Sequence, residues 1–337
     1  MHEETREDGS GKADQVSRPD MSVILITPDS YETIRRVVKA LRQQTVRERL
    51  EIVIVGPSCD QSEFPASDFA DFAGYQVLEI NDMTSTSFAR AEGINAARGL
   101  VVAMTEDHCF PAPDWAEALI DRHKEPWTGV GSVFCNANPR TAVSWANFLV
   151  EYGEWADPIP PGPTNHIPGH NSSYKRDALL EYGPDLGDVL EAESPMQWDM
   201  MNRGHSFCME PKAKMFHQNF SVFGQSIPLR FYGGRLFAAN RAHEWSFLRR
   251  LSYCLLSPLI PLVRVCRVLQ AANRIGQSKL ALRVLPTSFI MLVFDGLGEM
   301  VGYVAGSGSA MQRLSDMEFH RERFLVDGDR VQLSPDL

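Results

Sequence analysis

The residues best suited to chemistry are the triplet Glu106-Asp107-His108, which follows the apolar run at 100–104. A strand that ends in this triplet brings a carboxylate and an imidazole, separated by one residue, to the edge of a sheet. Carboxylate and imidazole together suit Mn²⁺ or Mg²⁺ held jointly with phosphate oxygens. An acidic loop in solvent has the same composition, so the triplet alone leaves both interpretations open.

Short apolar strands alternate with helices along residues 21–134, and these elements must position the triplet. Continuous apolar strands that alternate with helices predict a parallel sheet covered on both faces. Ligands of such sheets lie beyond the carboxyl ends of the strands. This rule selects Thr27, residues 56–60 and residues 105–108. The strands are predicted at 22–26, 51–55, 75–80, 100–104 and 129–134. Two of the helices between them are predicted at 87–98 and 114–123.

The composition is that of an ordinary globular protein of 337 residues, long enough for one large α/β domain with an appendage. The net charge of −10 argues against nucleic acid as a partner, because nucleic-acid-binding proteins carry a basic face. The first 20 residues are polar and acid-rich, which predicts a disordered lead-in and excludes a secretory signal there. The six cysteines include no C-x-x-C pair, which favours a reducing cytosol.

Two apolar segments, 251–263 and 285–305, occur late in the chain. The first is broken by two prolines and the second carries two acidic residues, so neither is a clean span of about 20 uncharged residues. Between them, residues 264–283 hold five basic side chains and no acidic one. Buried core helices would explain each segment alone, but the basic stretch beside them predicts helices that lie in a membrane interface.

Further motifs follow one another in order along residues 21–220. Before the triplet come Ser22-Val-Ile-Leu-Ile-Thr27, Leu41-Arg-Gln-Gln-Thr45, Glu51-Ile-Val-Ile-Val55 and Ala89-Arg90-x-x-Gly93-Ile94. After it come Pro111-x-Pro113-Asp114-Trp115, Gly169-His-Asn-Ser-Ser-Tyr174, and Glu193 to Gly204 followed by Glu210-Pro211 and His217. In this order the motifs resemble those of family 2 glycosyltransferases, and an ordered set is more specific than any one motif.

The resemblance implies an α/β chain with the GT-A fold, a Rossmann-like and mostly parallel sheet with helices on both faces, followed by apolar membrane-associated helices. It implies an enzyme that moves a sugar from a nucleoside-diphosphate sugar to a hydroxyl of a glycan or lipid-linked acceptor. The reaction would invert the sugar and use Mn²⁺ or Mg²⁺, in cell-surface glycan or polysaccharide synthesis. The expected divisions are a lead-in (1–20), a GT-A domain (21–240), a membrane-associated segment (241–310) and a polar tail (311–337).

The resemblance also implies roles for individual residues. Glu193 takes the place of the catalytic base. Glu106 and His108 take the outer positions of the metal-binding Asp-x-Asp motif, and His217 takes the place of a third ligand or of a phosphate contact. The donor nucleotide is assigned to Thr27 at the base, Arg90 at the diphosphate, and Asp60 and Asp107 as further contacts.

The motifs depart from the family pattern at three positions. Gly56 stands where an Asp usually recognises the nucleotide, and Asp60 could compensate for it. His108 replaces the second Asp of the metal motif, and imidazole is a softer ligand than carboxylate. Glu193 is one methylene longer than the usual Asp.

Simpler roles stay open for several of these residues. Arg90 could lie on a solvated helix face, and His217 could be a structural histidine. Glu193 could be a helix cap, with Glu191 as a competing base. A non-catalytic nucleotide-binding or scaffold protein of the same fold is the main alternative, and Gly56 is its best support. A nucleotidyltransferase is disfavoured because the turn after the first strand has neither a glycine nor a nearby lysine.

The basic stretch at 264–283 also bears on location. A hairpin of two full spans would place it on the far side of the membrane, against the positive-inside tendency. Helices in the interface would instead hold its charges against anionic lipids. The sequence therefore predicts a peripheral or monotopic protein on the cytoplasmic face of the cell membrane, with the membrane surface as a partner.

Overall fold

The computed structural model describes residues 18–57, 64–80 and 85–330, so Asp60 and most of the predicted lead-in lie outside the described residues. The strands are β1 (Met21–Ile26), β2 (Leu50–Gly56), β3 (Gly74–Glu79), β4 (Val101–Thr105), β5 (Cys109–Pro111), β6 (Gly129–Asn136), β7 (Gly162–Thr164), β8 (Ser172–Lys175) and β9 (Phe207–His217). They form one nine-stranded sheet in the order β3-β2-β1-β4-β8-β6-β9-β5, and β7 also pairs with β9.

The helices fall into a group around the sheet and a group after it. The first group is α1 (Tyr31–Arg42), α2 (Ala66–Phe69), α3 (Thr86–Ala96), α4 (Trp115–Arg122), α5 (Ala142–Glu151), α6 (Arg176–Leu180), α7 (Leu186–Val189) and α8 (Glu193–Asn202). The second is α9 (Phe223–Arg241), α10 (Phe247–Leu256), α11 (Ile260–Arg274), α12 (Ser278–Ala305), α13 (Ala310–Phe319) and α14 (Asp327–Arg330).

Strands β1 to β4 form the parallel half of the sheet. Val23 and Leu25 of β1 enter one core together with α1 and α4, whereas Ile24 enters the opposite core with α3. Both faces of the sheet are therefore covered, as continuous apolar strands predict. Gly93 lets α3 approach closely, because a Cβ at this position would lie 2.6 Å from Cγ2 of Ile24.

The rest of the sheet is mixed. Strand β8 runs antiparallel to β4 and β6, while β9 runs parallel to β6 and antiparallel to β5 and β7. The predicted α/β class is confirmed, and every antiparallel pair contains a strand that follows β4. The pairing of β5 with β9 sets Cys109 opposite His217, and the amide of Gln218 donates to the carbonyl of His108 at 3.0 Å. This pairing joins the acidic triplet to the end of β9.

Helices α9 and α12 pack closely because glycines lie at their contact. A Cβ at Gly298 would overlap the carbonyl oxygen of Phe231, and a Cβ at Gly302 would overlap that of Arg235. Backbone atoms cannot move aside as a flexible side chain can, so these positions require glycine. Through this contact, α12 is fixed to the helix that follows the sheet.

Two helical stretches, Phe247–Arg274 and Ser278–Ala305, are long and apolar enough to cross a membrane by length and composition. Their most apolar windows are only 22% and 39% buried, which is less than a core helix requires. The first stretch comprises α10 and α11, joined by a 3₁₀ turn at Ser257–Leu259 that contains one of the two prolines. Large apolar side chains of this stretch are exposed, including Phe247, Leu248 and Leu255.

The segment after α12 folds back onto the sheet domain. Helix α13 packs against α9, and the ring of Phe324 stacks on Phe220 with centroids 4.8 Å apart. The sequence predicted a polar tail from residue 311. As far as residue 330, that tail is a folded cap on the domain, which we call the C-terminal cap (residues 310–330).

Glycine substitutions test the α9–α12 contact. Gly298→Ala should lower the free energy of unfolding by about 1–3 kcal/mol, because the new methyl group overlaps backbone of α9. Gly233→Ala is the matched control, since nothing lies within 4 Å of a Cβ at that helical glycine. It should be neutral or stabilise by up to about 1 kcal/mol. Denaturation of the two purified variants compares them, and equal stabilities would contradict the proposed packing.

Candidate functional site

A cavity of about 280 Å³ lies at the carboxyl ends of the central strands. Its polar wall comes from the triplet after β4, from α3 and from the start of α8. Its apolar wall comes from α9 and from the C-terminal cap. The placement agrees with the rule that ligands of open α/β sheets bind beyond the carboxyl ends of strands.

Glu106, His108 and His217 converge next to this cavity, and we call them the ligand cluster. Oε2 of Glu106 lies 3.4 Å from Nε2 of His108 and 3.5 Å from Nε2 of His217. The two Nε2 atoms are 3.1 Å apart. Among the described residues these three are the group able to hold a metal ion. The structure thus brings together the three residues predicted as metal ligands.

The hydrogen bonds made by the Nδ1 atoms of His108 and His217 indicate which ring nitrogens carry protons. Both amide hydrogens of Asn219 are committed, to Asn136 Oδ1 and to the carbonyl of His217, so its Oδ1 can only accept. Nδ1 of His217, 2.9 Å away, must therefore donate, so Nε2 is the ring nitrogen that faces the cluster and could bind a metal ion. On His108, Nδ1 lies 2.5 Å from Oδ1 of Asp107. Burial raises the pKa of Asp107 to about 7, so above neutral pH this carboxylate accepts in the same way.

The result is three atoms that could bind one metal ion together. Burial and the nearby charge of Arg321 lower the pKa of His108 to about 3, so the His108 ring is neutral. The Nε2 atoms of the two imidazoles and Oε2 of Glu106 lie within 3.5 Å of one another, and a cation between them, either a metal ion or a proton, relieves their repulsion. Nitrogen and oxygen donors of this kind fit Mn²⁺ well and Mg²⁺ less well.

Glu106 is oriented by side chains that the site assignments had not included. Nδ2 of Asn171 donates to Oε2 of Glu106 at 2.7 Å, and the hydroxyl of Tyr152 donates to it at 3.4 Å. Asn171 belongs to the motif at 169–174, one of those that carry the resemblance to family 2 glycosyltransferases. Asn171 is a polar residue in a matched motif, so the sequence offered a signal for it. Nothing in the sequence indicated a role for Tyr152.

A second group of charges lies at the start of α8. Nδ1 of His170 is 2.6 Å from Oε1 of Glu193, and Nη1 of Arg90 is 3.4 Å from the same oxygen. Arg90 and Glu193 are both buried. Nη1 of Arg90 also lies 2.7 Å from Nδ1 of His170. Since a carboxylate can only accept, the Nδ1 proton belongs to the bond with Glu193.

Charge pairing explains the protonation of this second group. The surrounding protein disfavours a charged ring at His170, but the carboxylate of Glu193 raises the pKa of His170 to about 9. Burial alone would raise the pKa of Glu193, yet the charges of His170 and Arg90 bring it below its usual value. Glu193 is therefore ionised at neutral pH. Two positive groups share one carboxylate, so these three residues together carry a net positive charge.

Two of the simpler roles are excluded by these contacts. Arg90 is buried, so it does not lie on a solvated helix face. Ala192 is the N-cap residue of α8, and Glu193 is the first helical residue, so Glu193 is not the cap.

The contacts of the other residues assigned to the donor nucleotide do not test those assignments. Thr27 is buried, and its hydroxyl donates to the carbonyl of Ser30 at 2.6 Å, within the turn after β1. Asp107 contacts the His108 ring at 2.5 Å. Asp60 lies outside the described residues. The assignments of all three to the donor nucleotide stay predictions.

Comparison with known proteins relates the first part of this site to a family. Residues 22–183, just under half of the chain, match the model of glycosyl transferase family 2. The match includes Arg90, Glu106 and His108 but ends before Glu193 and His217. A relative, the glucosyl-dolichyl phosphate glucuronosyltransferase of Haloferax volcanii, is 31% identical over 180 residues, which are 48% of this chain and 55% of that protein. The chain therefore matches about half the length of this relative.

Solved structures add the fold of the family 2 domain. The mannosyltransferase PcManGT from Pyrobaculum calidifontis, in complex with GDP-Man and Mn²⁺, has a TM-score of 0.51 at 17% identity. The match covers 86% of this chain and 87% of that one. GalNAc-T7 with UDP, GalNAc and Mn²⁺ has a TM-score of 0.45 at 16% identity, over 60% of this chain and 44% of that one. The resemblance to family 2 and the GT-A type of fold are confirmed.

Removal of single ligands tests the ligand cluster. Glu106→Ala and His108→Ala should each weaken Mn²⁺ binding at least about 10-fold, because each variant lacks one of the three side chains of the ligand cluster. The exposed His243→Ala is the control and should bind as the wild type does. Isothermal titration of the full chain with Mn²⁺ measures the affinities. Unchanged affinity in both variants would reduce the triplet to an acidic loop.

Proposed function

We propose that this chain transfers a sugar from a nucleoside-diphosphate sugar to an acceptor hydroxyl, with inversion at the sugar. The observation that carries the proposal is that Glu106 and His108 of the ligand cluster share one cavity with Glu193. An inverting displacement needs a site for the departing diphosphate and a base for the incoming hydroxyl. Mn²⁺ or Mg²⁺ held by the ligand cluster would neutralise the charge that builds on the diphosphate.

Glu193 is the proposed base. Its lowered pKa keeps it ionised at neutral pH, so it can accept the hydroxyl proton without first losing one. The same pairing makes Glu193 a weaker base than a free carboxylate. To act as the base, it must therefore lie within hydrogen-bond reach of the acceptor hydroxyl. When Glu193 takes up the proton, the positive charge of His170 and Arg90 is no longer balanced. That positive charge then stabilises the departing diphosphate, which Arg90 is assigned to contact.

The acceptor we propose is linked to a lipid. Leu229, Leu236 and Phe237 of α9 and Leu314 and Phe319 of the C-terminal cap form an apolar wall of the cavity. An apolar wall facing ionisable residues suits a ligand with a polar head and a hydrocarbon chain. The relative from Haloferax volcanii is named for a dolichyl phosphate substrate, which agrees with this chemistry.

We also propose that the exposed apolar side chains of α10 and α11 enter the surface of the membrane. Arg267, Lys279 and Arg283 are exposed beside these helices, where anionic headgroups would attract them. Helices lying in the interface keep these charges on the cytoplasmic side, as the positive-inside tendency requires. The enzyme would thus be a peripheral or monotopic protein that meets its acceptor at the membrane surface.

Substitution of the base tests the proposed reaction. Glu193→Gln should keep the fold and donor binding but lower turnover by about 10²–10⁴-fold, because an amide cannot accept the proton. Glu191→Gln, two residues away, should leave transfer largely intact. Sugar transfer from UDP, GDP, CDP and dTDP sugars to lipid acceptors is the assay. Transfer by Glu193→Gln at the wild-type rate would exclude this residue as the base, and donor binding without transfer or hydrolysis by the wild type would favour a non-catalytic protein.

Charge removal tests the membrane surface. The double variant Lys279→Gln with Arg283→Gln should bind anionic vesicles about 30-fold more weakly, at roughly 1 kcal/mol for each charge. Its binding to neutral vesicles should not change. The pair Lys39→Gln with Lys124→Gln, exposed on the sheet domain, is the matched control. Labelling of a cysteine placed at position 279 from outside intact cells would show a spanning hairpin and contradict the monotopic arrangement.

A further inference from the structure

Two charged side chains of the C-terminal cap lie against the ligand cluster, and the proposed reaction gives neither of them a role. Oε2 of Glu318 is 4.0 Å from Nε2 of His108. Arg321 forms an ion pair with Glu318. Both side chains line a small cavity that they share with Glu106 and His217. The cap therefore brings a third element to a cluster built by β4 and β9.

Backbone contacts fix this part of the cap. Nη2 of Arg321 donates to the carbonyl of Gln218 at 2.6 Å. The amides of Ser221 and Val222 donate to the carbonyl of Phe324 at 3.0 and 3.1 Å. These contacts tie the cap to the residues that directly follow the cluster histidine of β9. They fix the Arg321 guanidinium, whose ion pair in turn holds the Glu318 carboxylate beside the ligand cluster.

The guanidinium of Arg321 has one hydrogen-bond donor that the described residues leave unused. Its side chain is 9% exposed, and its Nε has no hydrogen-bond partner in the described part of the chain. A buried guanidinium with an unpaired N–H is costly unless a ligand oxygen completes it. This second observation points to an oxygen-bearing ligand beside the ligand cluster.

The distances fit a set of donors around one ion. With metal–donor bonds of about 2.1 Å, donors at right angles are about 3.0 Å apart and donors on opposite sides about 4.2 Å. The three separations within the ligand cluster, 3.1 to 3.5 Å, match neighbouring positions. The 4.0 Å between Glu318 and His108 matches nearly opposite positions.

We propose that Glu318 is a fourth protein ligand of the metal, and that Arg321 is the positioning residue that holds its carboxylate in place. The proposal rests on the metal-assisted reaction inferred above. It makes the C-terminal cap part of the metal site. The unpaired Nε of Arg321 then lies ready for an oxygen of the diphosphate that the same ion would hold.

Mn²⁺ affinity of the full chain, measured by isothermal titration without donor or acceptor, tests the ligand. Glu318→Gln keeps the size of the side chain and a bond to Arg321, but its amide is a poorer ligand. It should weaken Mn²⁺ binding at least about 10-fold while the melting temperature without metal stays unchanged. Glu322→Gln, exposed in the same cap, is the matched control and should bind as the wild type does. Wild-type affinity in Glu318→Gln overturns the proposal, even if sugar transfer proceeds.

The positioning role has its own test. Arg321→Gln should weaken Mn²⁺ binding, and Arg321→Lys should recover part of the loss because a cation again faces Glu318. If Arg321 acts through Glu318, the double variant Glu318→Gln with Arg321→Gln should bind Mn²⁺ no more weakly than Glu318→Gln alone. Additive losses would assign Arg321 an independent role and overturn the positioning step. Failure of sugar transfer with Mn²⁺ affinities as expected would instead count against the proposed reaction.

Discussion

The site depends on one strand pairing, that of β5 with β9. The two segments that supply the ligand cluster are more than 100 residues apart, and the register that sets Cys109 opposite His217 brings them together. Strand β5 is only three residues long, so it has little stability of its own. Its position is fixed by β9, which also pairs with β6 and β7. The histidine that ends β9 can therefore face the triplet only when this side of the sheet is complete.

Local patterns predicted the parallel half of the fold well. Strand β2 is buried along its whole length and β1 along all but its last residue, and burial on both faces gives the continuous apolar runs that the sequence displays. The mixed half left no such pattern. Strands of three or four residues, such as β5 and β8, have too few side chains to show a period. Their partners are far away in the chain, so only the folded sheet reveals them.

The same difference separates the site residues that were predicted from those that were not. Glu106 and His108 lie at a strand end, and their types suggest metal binding on their own. Arg90 and Glu193 required the resemblance, since each occurs in a helix where charged residues are common. Glu318 and Arg321 come from a segment that looked like a polar tail. Charged residues in such a segment are ordinary surface residues until the fold buries them against another charge.

The order of elements along the chain also sets the order in which the site is assembled during synthesis. The sheet and the ligand cluster are complete at residue 217, but the C-terminal cap follows only after α10, α11 and α12. At translation rates of roughly 5–20 residues per second, about 100 further residues take roughly 5 to 20 seconds. During that interval the two long apolar helices leave the ribosome while the cavity still lacks one wall. Completion of the site thus follows emergence of the apolar helices, so the nascent chain exposes its most apolar surface before its cavity is enclosed.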